Sequence, residues 1–402
     1  MNILYLCDEY PPGPHGGIGT SVRLLAREMV KMGHKVIVAG LYSPGYGGEN
    51  QFEDEGVNVY RFRWNLDGKW FENRRSLLVR VSIRLLKFSG IVRWDIKRSL
   101  RRYKGQLEKI IAENQIDIIE MPDYNDYIRF CSTYIPFIKL SAPAIVKMHG
   151  SLSYFLREAN KDVPAHVFKM EQEILNQAAA VAAVSGYTAT KSAVYLSYPG
   201  KIEVLYNGIN IYIPPGDIYR NPNQVIFTGS LTAKKGIFQL ISAWNIVNKS
   251  LPEAGLLILG KGPAEKVASY LSVEAKNTVS FTGHLSAEKV YNYLSASSVS
   301  VFPSYAEAFA LAPLEAMACG TAVINTNRAS GPELIDDQVN GLLIDPDDIG
   351  AIAEAILYLL NNPGACAGMA RGGLEKVREH FDISKIAVQN MQFYGSVLSR
   401  AI

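Results

Sequence analysis

PSYAEAFALAPLEAMACGTAVIN, residues 303–325, carries two glutamates, Glu307 and Glu315, with seven residues between them. The residues just before, 298–303 (SVSVFP), alternate small polar and apolar side chains, which predicts the end of a buried strand. Residues 313–319 (PLEAMAC) are rich in helix formers, with Pro313 at a tolerated first-turn position and Gly320 as a stop. The pattern therefore predicts strand, loop, helix, with Glu307 on the loop and Glu315 in the helix's first turn. In an α/β fold both glutamates then lie at the carboxyl end of a parallel sheet, where such folds bind ligands. The helix N-terminus offers unpaired N–H groups and partial positive charge to a phosphate. A carboxylate at the same place accepts two hydrogen bonds from a vicinal diol, such as a ribose or a sugar. Plain decoration of a helix start by two glutamates gives the same spacing, so spacing alone leaves both readings open.

The 402 residues suffice for two domains, each with its own core. A charged fraction of 20% and the lack of any low-complexity tract predict a soluble globular protein. No apolar run approaches the roughly 18–20 residues that a membrane span needs. The N-terminus, MNILYLCDEY, has no basic start and reaches Asp8 and Glu9 too early for a signal peptide, so a cytoplasmic protein is expected. Cys7, Cys131, Cys319 and Cys366 are scattered without a CxxC pair, which favours reduced thiols over disulfides or a zinc site. Charge is uneven: residues 1–205 hold 27 Lys and Arg against 21 Asp and Glu, and residues 206–402 hold 14 against 17. The basic half is where a membrane surface or an acidic acceptor would be met.

Along the first half, NILYLC (2–7) reads as a strand, DEYPPGPHGGIGT (8–20) as a turn-rich loop, residues 20–32 as a helix and KVIVAG (35–40) as a second strand. Gly16, Gly17 and Gly19 partly match a phosphate-binding glycine loop without its full spacing, and a flexible turn fits as well. VNVYRFR (57–63) is another strand. Between Arg74 and Lys104 eleven basic residues meet one acid, Asp95. Leu77, Leu78, Val81, Leu85, Phe88 and Val92 fall at helical spacing, with Arg80, Arg84 and Lys87 on another side and Trp94 beyond. Such a basic amphipathic helix suits an anionic membrane surface, each basic group adding on the order of 1 kcal/mol; a core-packed helix with a solvated basic face fits equally. IDIIEM (116–121) leads to PDYNDY, whose Asp123 and Asp126 suit either acceptor hydroxyls or turns. AIVKM (144–148) ends at His149-Gly150, and further short strands follow at 180–184 and 202–206, the rhythm of a doubly wound sheet. Periodicity lapses over 209–224 (INIYIPPGDIYRNPNQ), which reads as the interdomain linker. A second series of strands follows at 225–229, 255–260, 278–283, 299–303 and 322–325, most ending at a glycine or a loop.

The stretch from Pro303 resembles the E-x7-E signature of retaining glycosyltransferases of the GT-B fold, family 4 (glycosyltransferase group 1) type. FTGSLTAKKGIFQLISAW (227–244) resembles that family's G-R-L-x-x-x-K-G element, with Lys235 and Gly236 on the Lys-Gly pair. His149-Gly150, the glycine loop, Asn207-Gly208, Gly283-His284-Leu285 and GPELIDDQVNGLLIDPDD (331–348) match further family positions, so the resemblance spans almost the whole chain. It implies two Rossmann-like α/β domains facing each other across a cleft. Residues 1–208 would be the acceptor-binding domain, with a C-terminal helix of about 383–402 packing back on it. Residues 209–382 would bind the nucleotide-sugar.

Carried over residue by residue, the resemblance makes His149, Lys235 and Glu307 catalytic. Gly17, Ser230, Lys235, His284, Leu285, Glu307, Ala308, Phe309, Ala310, Leu311 and Glu315 become donor-binding; the acceptor-binding candidates remain Asp123 and Asp126, read from their loop and not from the resemblance. Lys235 would neutralise the leaving diphosphate, Glu307 would accept from donor-sugar hydroxyls and Glu315 from the ribose diol. They therefore differ from the acid–base carboxylate pair of a glycosidase. Ser230 stands where the family usually has arginine, replacing a bidentate charged contact by one neutral hydrogen bond. Ala308 and Ala310 stand where it usually has glycine, limiting the backbone's approach to the donor phosphate. Neither a metal nor another cofactor is expected, since Lys235 and helix dipoles can stand in for Mg²⁺. The implied reaction is retaining sugar transfer from a nucleotide-sugar, with a UDP-sugar favoured and GDP-mannose next. The acceptor would be a glycan or lipid-linked molecule of bacterial surface polysaccharide or glycolipid synthesis, met at the inner membrane face, with no nucleic-acid partner. A nucleotide-sugar epimerase or phosphorylase on the same fold, a weakly catalytic nucleotide-sugar-binding protein and a membrane-binding scaffold are the alternatives.

Overall fold

A computed structural model of the chain describes residues 1–42, 46–64, 90–212 and 218–401. The chain divides into two compact units, Met1–Gly208 with Ile383–Ile402, and Ile209–Asp382.

The first unit is built on an eight-stranded sheet of β1 (Asn2–Leu6), β2 (Lys35–Tyr42), β3 (Gln51–Asp54), β4 (Val57–Arg63), β5 (Ile118–Pro122), β6 (Ala144–Met148), β7 (Ala180–Ala183) and β8 (Ile202–Val204). Their order is β3-β4-β2-β1-β5-β6-β7-β8, parallel throughout except that β3 runs against β4. Side chains alternate along β1, so Leu4 and Leu6 join one buried cluster and Ile3 and Tyr5 another, on the opposite face. The first face is covered by Ile96, Leu100, Tyr103, Leu107 and Ile111 of the Ile91–Asn114 helix, at helical spacing. The second lies under the helices Gly17–Lys31 and Ile383–Ala401. Each fully buried Leu or Ile contributes about 1.5–3 kcal/mol. The C-terminal helix is also held by polar contacts in this core. Tyr394 donates to Glu120 Oε2 at 2.5 Å, and Lys147 Nζ donates to Asn390 Oδ1 at 3.3 Å.

The second unit has a six-stranded, wholly parallel sheet of β9 (Asn221–Thr228), β10 (Gly255–Leu259), β11 (Val279–Gly283), β12 (Ser297–Phe302), β13 (Ala322–Thr326) and β14 (Leu342–Ile344), ordered β11-β10-β9-β12-β13-β14. Its core centres on Trp244, whose Nε1 donates to Thr278 Oγ1 at 3.0 Å. In both sheets chain order reverses beside the first strand, between β1 and β5 and between β9 and β12. Loops leaving those strand pairs splay apart and leave a crevice at the carboxyl edge.

Several sequence expectations need correction. The first helix begins at Gly17, not near Thr20, so Gly17 and Gly19 are helical. The helix after β12 spans Leu311–Ala318, which makes Pro313 its third residue and moves Glu315 into the second turn. β9 starts at Asn221, inside the stretch read as linker, and β3 was not anticipated. The apolar stripe from Leu77 to Phe88, with Arg74, Arg75, Arg80, Arg84 and Lys87, lies outside the described residues. Among the described residues no helix is long and apolar enough to cross a membrane.

Candidate functional site

In the second unit the crevice between β9 and β12 is formed by two loops, residues 229–236 and 303–310. Two features lock these loops together. Tyr305 N donates to Lys234 O at 2.9 Å. Gly236, at φ 67°, lies so close to the other loop that a Cβ there would stand 1.8 Å from Pro303 O. Only glycine permits both that left-handed backbone and that approach. The result is an ion pair between Lys235 Nζ and Glu307 Oε1, with both side chains largely buried. Lys234 lies near the same carboxylate: burial pulls its ammonium below the usual range while Glu307 pulls it up.

The helix Leu311–Ala318 follows directly. Its N-cap is Ala310, and no side chain caps it, so the first-turn N–H groups face the crevice without a carboxylate or hydroxyl of the cap residue. Pro313, without an N–H, occupies one of those positions. Glu315 sits a turn further along. Burial, only partly offset by the charge of Lys235, pushes its carboxyl up to about 7. Ala308 and Phe309 are buried, and the Phe309 ring packs on Phe381 with centroids 5.8 Å apart. Ser230 is exposed, with its hydroxyl 3.5 Å from that of Thr232. His284 and Leu285 follow β11, the outermost strand, on the same carboxyl edge but two strands from β9. Between them Gly229 N donates to Leu259 O at 2.9 Å and Gly260 N to Gly283 O at 2.8 Å, so this edge is floored by backbone.

The first unit presents a different set at its own switch point. Asp8 follows β1, and its carboxylate accepts from Leu41 N at 2.9 Å and from Asp126 N at 3.3 Å, tying β1 to the loop after β5. Burial pushes Asp8 up to about 7, helped by the Asp126 carboxylate. Glu9 caps the first helix from outside, its Oε1 accepting from Gly19 N at 2.9 Å. A Cβ on Gly19 would stand 2.1 Å from Glu9 O, whereas one on Gly17 would meet nothing within 4 Å. Gly17 is therefore open to a ligand, but the partial positive charge of this helix end is already met by Glu9. Asp123, expected to reach an acceptor, is 1% exposed and instead accepts from His149 N at 2.8 Å through Oδ1. It is a wall group, and its other oxygen is buried without a hydrogen-bond partner. His149, 9% exposed, is held neutral: burial and Lys147 push its imidazole down to about 3. Asp126 is half-buried and paired with the exposed Arg129 at 3.2 Å.

Sequence reasoning missed Glu9, whose role depends on a contact ten residues away, and the aromatic pair Tyr212–Tyr291. Those rings stack at 5.0 Å, and Tyr291 is close enough to Glu315 to feel its charge. YNYLSA in a helical stretch gives no signal beyond ordinary packing. Among the described residues no group of three or more His, Cys, Asp or Glu is placed to hold a metal ion.

Comparison with known proteins separates the same two halves. Residues 15–212 match Glycosyltransferase Family 4, and residues 209–376 match Glycosyl transferases group 1. A glycogen synthase of Mycobacterium tuberculosis is 23% identical over 419 aligned positions, covering 98% of this chain and 94% of that protein. Among solved structures, a sucrose-phosphate synthase from Thermosynechococcus elongatus superposes with a TM-score of 0.75 at 20% identity, covering all of both chains. Anabaena HepE in complex with UDP and glucose gives 0.67 at 18%, covering 98% of this chain and 100% of that one. These superpositions establish the two-domain GT-B architecture. With both halves matched to glycosyltransferase families, the chain belongs to the GT-B glycosyltransferases of the family 4 and group 1 type.

Proposed function

We propose that this enzyme is a retaining transferase that takes its sugar from a nucleotide-sugar, a UDP-sugar before GDP-mannose, and passes it to a glycan or lipid-linked acceptor. The carrying observation is the Lys235–Glu307 pair beside the uncapped Leu311–Ala318 helix, at the switch point of the second sheet. The diphosphate sits against the helix N-terminus and Lys235, which exchanges part of its contact with Glu307 for the charge that develops as the C1–oxygen bond breaks. Glu307, released from that pair, accepts from donor-sugar hydroxyls. Glu315 accepts from the ribose diol. The acceptor oxygen attacks the same face of the sugar, and its proton passes to the departing phosphate oxygen. Because Glu9 already satisfies the first helix's positive end, the Gly16–Gly19 loop is assigned to neutral sugar hydroxyls rather than to phosphate. That HepE was solved with UDP supports the nucleotide preference. Thermal shift against a panel of nucleotide-sugars tests the reading: a ligand at a hundred times its Kd adds about 2.7 kcal/mol. If none stabilises the protein, the reading fails.

Glu315 gives this reading a pH signature. Its folded pKa of about 7 exceeds the unfolded 4.5, so the free protein holds a proton that the unfolded chain has released. This contribution to apo stability is present below about 4.5 and lost as pH rises through about 7. The ribose diol needs the carboxylate, so nucleotide affinity runs the opposite way. From pH 7.5 to 6 the wild type should lose about tenfold more affinity than Glu315→Gln, measured by calorimetry. Glu307→Gln should depress kcat more than nucleotide affinity. Identical profiles for the two variants would sink the division of labour.

The acceptor side is assigned to an anionic membrane surface. On the Ile91–Asn114 helix Arg93, Lys97, Arg101 and Lys104 are exposed along one stripe, Trp94 is 58% exposed, and the sole acid among them, Asp95, is buried. Arg98 lies over the Trp94 ring at 5.1 Å. Vesicles containing anionic lipid should co-sediment with the protein, and binding should weaken at 1 M salt, where the Debye length is about 3 Å. Changing Arg93, Lys97, Arg101 and Lys104 to Glu should abolish it. Equal binding to neutral vesicles, or none to either, refutes the membrane assignment and leaves the transfer reaction standing.

A further inference from the structure

Arg61, in the middle of β4, is 3% exposed, and among the described residues it has no ion-pair partner. A guanidinium buried without a carboxylate is expensive. Its compensation comes from three rings and from backbone carbonyls, including a long contact from Nη1 to Glu49 O at 3.5 Å. The guanidinium carbon lies 4.7 Å from the Phe52 centroid, 5.2 Å from that of Tyr42 and 5.4 Å from that of Tyr46. Nη2 donates to the carbonyls of Tyr10 at 2.8 Å and Pro12 at 2.6 Å. Both carbonyls belong to the strand-to-helix segment that begins at Glu9 and ends in Gly16–Gly19. Tyr10 is fixed at three further points: its N donates to Tyr42 Oη at 3.2 Å, its carbonyl also accepts from Tyr46 Oη at 3.3 Å, and its own hydroxyl donates to Asp54 Oδ2 at 2.7 Å. Asp54, on β3, in turn accepts from Arg23 and Arg27 of the helix that the loop enters. Burial pushes the Asp54 carboxyl up, but the hydrogen bonds from Arg27 and Arg23 outweigh it and hold it below the usual carboxylate range. The β3–β4 hairpin thus grips both the start of the loop and the helix after it, while Gly17 stays open.

An apolar side chain would fill the Arg61 site without the desolvation cost, so what the guanidinium adds is the placement of two carbonyls. We propose that Arg61 is a positioning residue for sugar transfer: by fixing the Tyr10 and Pro12 carbonyls it sets where the Gly16–Gly19 loop meets the sugar hydroxyls. This rests on the assignment of that loop to the sugar.

The test uses the full chain, with UDP as probe for binding and the stabilising nucleotide-sugar for turnover. A displacement of about 1 Å costs on the order of 10²-fold in rate. Arg61→Met should therefore lower kcat by about 10–100-fold and Arg61→Lys by about 3–10-fold, since an ammonium reaches one carbonyl rather than two. UDP affinity, which belongs to the second unit, should stay within about twofold. Amide hydrogen exchange at residues 10–19 of the free protein should rise in the same order. Wild-type kcat in a folded Arg61→Met, or unchanged exchange, overturns the inference, as do equal losses of kcat and UDP affinity. Should Arg61→Met fail to fold, Arg61→Lys decides alone, and an unchanged kcat there is the refuting result. Gly17→Ala separates the two claims, because its methyl meets empty space in the free protein. If Gly17→Ala loses activity while the Arg61 variants keep theirs, the positioning role alone fails. If Gly17→Ala turns over at the wild-type rate, the loop assignment fails and takes the positioning role with it.

Discussion

Lys235→Ala is expected to lower kcat by about 10²-fold or more, the scale for losing one preorganised charge that meets a developing anion. The expectation follows from position rather than from residue type. Lys235 is held at the mouth of the β9–β12 crevice by the Tyr305–Lys234 backbone bond, and its ammonium already pairs with Glu307. Removing it leaves that carboxylate facing the incoming donor, so donor KM should rise as well. Lys234 remains nearby and sets a floor to the loss. A second consequence reads through Glu315, whose carboxyl Lys235 pulls down. In Lys235→Ala that carboxyl should titrate higher, so part of the lost nucleotide affinity should return between pH 7 and 8.5. Steady-state kinetics with calorimetry over that range checks both. Intact turnover would place the diphosphate elsewhere.

Gly236→Ala is expected to destabilise the second unit by about 3 kcal/mol, combining left-handed backbone cost with a forced shift of packed groups. The neighbour in the way is a backbone carbonyl, Pro303 O, 1.8 Å from the new methyl, and backbone cannot swing aside as a flexible side chain can. Gly283 is the control. It has a similar φ of 71° with nothing within 4 Å, so Gly283→Ala should cost only the conformational part, about 1 kcal/mol. Chemical denaturation of both variants isolates the steric share. Moving the β9 loop off the β12 loop should also separate Lys235 from Glu307, so activity should fall further than the folded fraction does. Equal midpoints for the two variants would contradict the close approach.

What the sequence made legible was the punctuation of the parallel sheets. Short apolar runs ending at Gly150, Gly208, Gly229 and Gly283 mark strand ends, because the carboxyl edge is where backbone must turn without a side chain. The E-x7-E and Lys-Gly elements marked Glu307 and Lys235 as candidates, but their ion pair had no signal in the sequence, because it depends on β9 and β12 lying side by side. Helix onset was less legible. Glycines at 17 and 19 are poor helix formers by propensity, yet the helix includes them, because Glu9 lies across its end and excludes any side chain at Gly19. The hairpin was hidden for a similar reason. QFED is too short and polar to read as a strand, and it pairs only because β4 offers an edge, so the Asp54 and Arg61 contacts had no local signature. Asp123 illustrates the limit at the site itself: its position at a strand end was visible, but its burial behind His149 depends on packing from other elements.

The placement of the donor's nucleotide diphosphate at the second unit's switch point is tested most directly by the structure of the protein crystallised with UDP. The ribose hydroxyls should lie within hydrogen-bonding distance of Glu315 and the diphosphate between Lys235 Nζ and the N-terminus of the Leu311–Ala318 helix, with the Lys235–Glu307 pair loosened. A diphosphate seated on the Gly16–Gly19 loop, or a ribose that leaves Glu315 untouched, would contradict it.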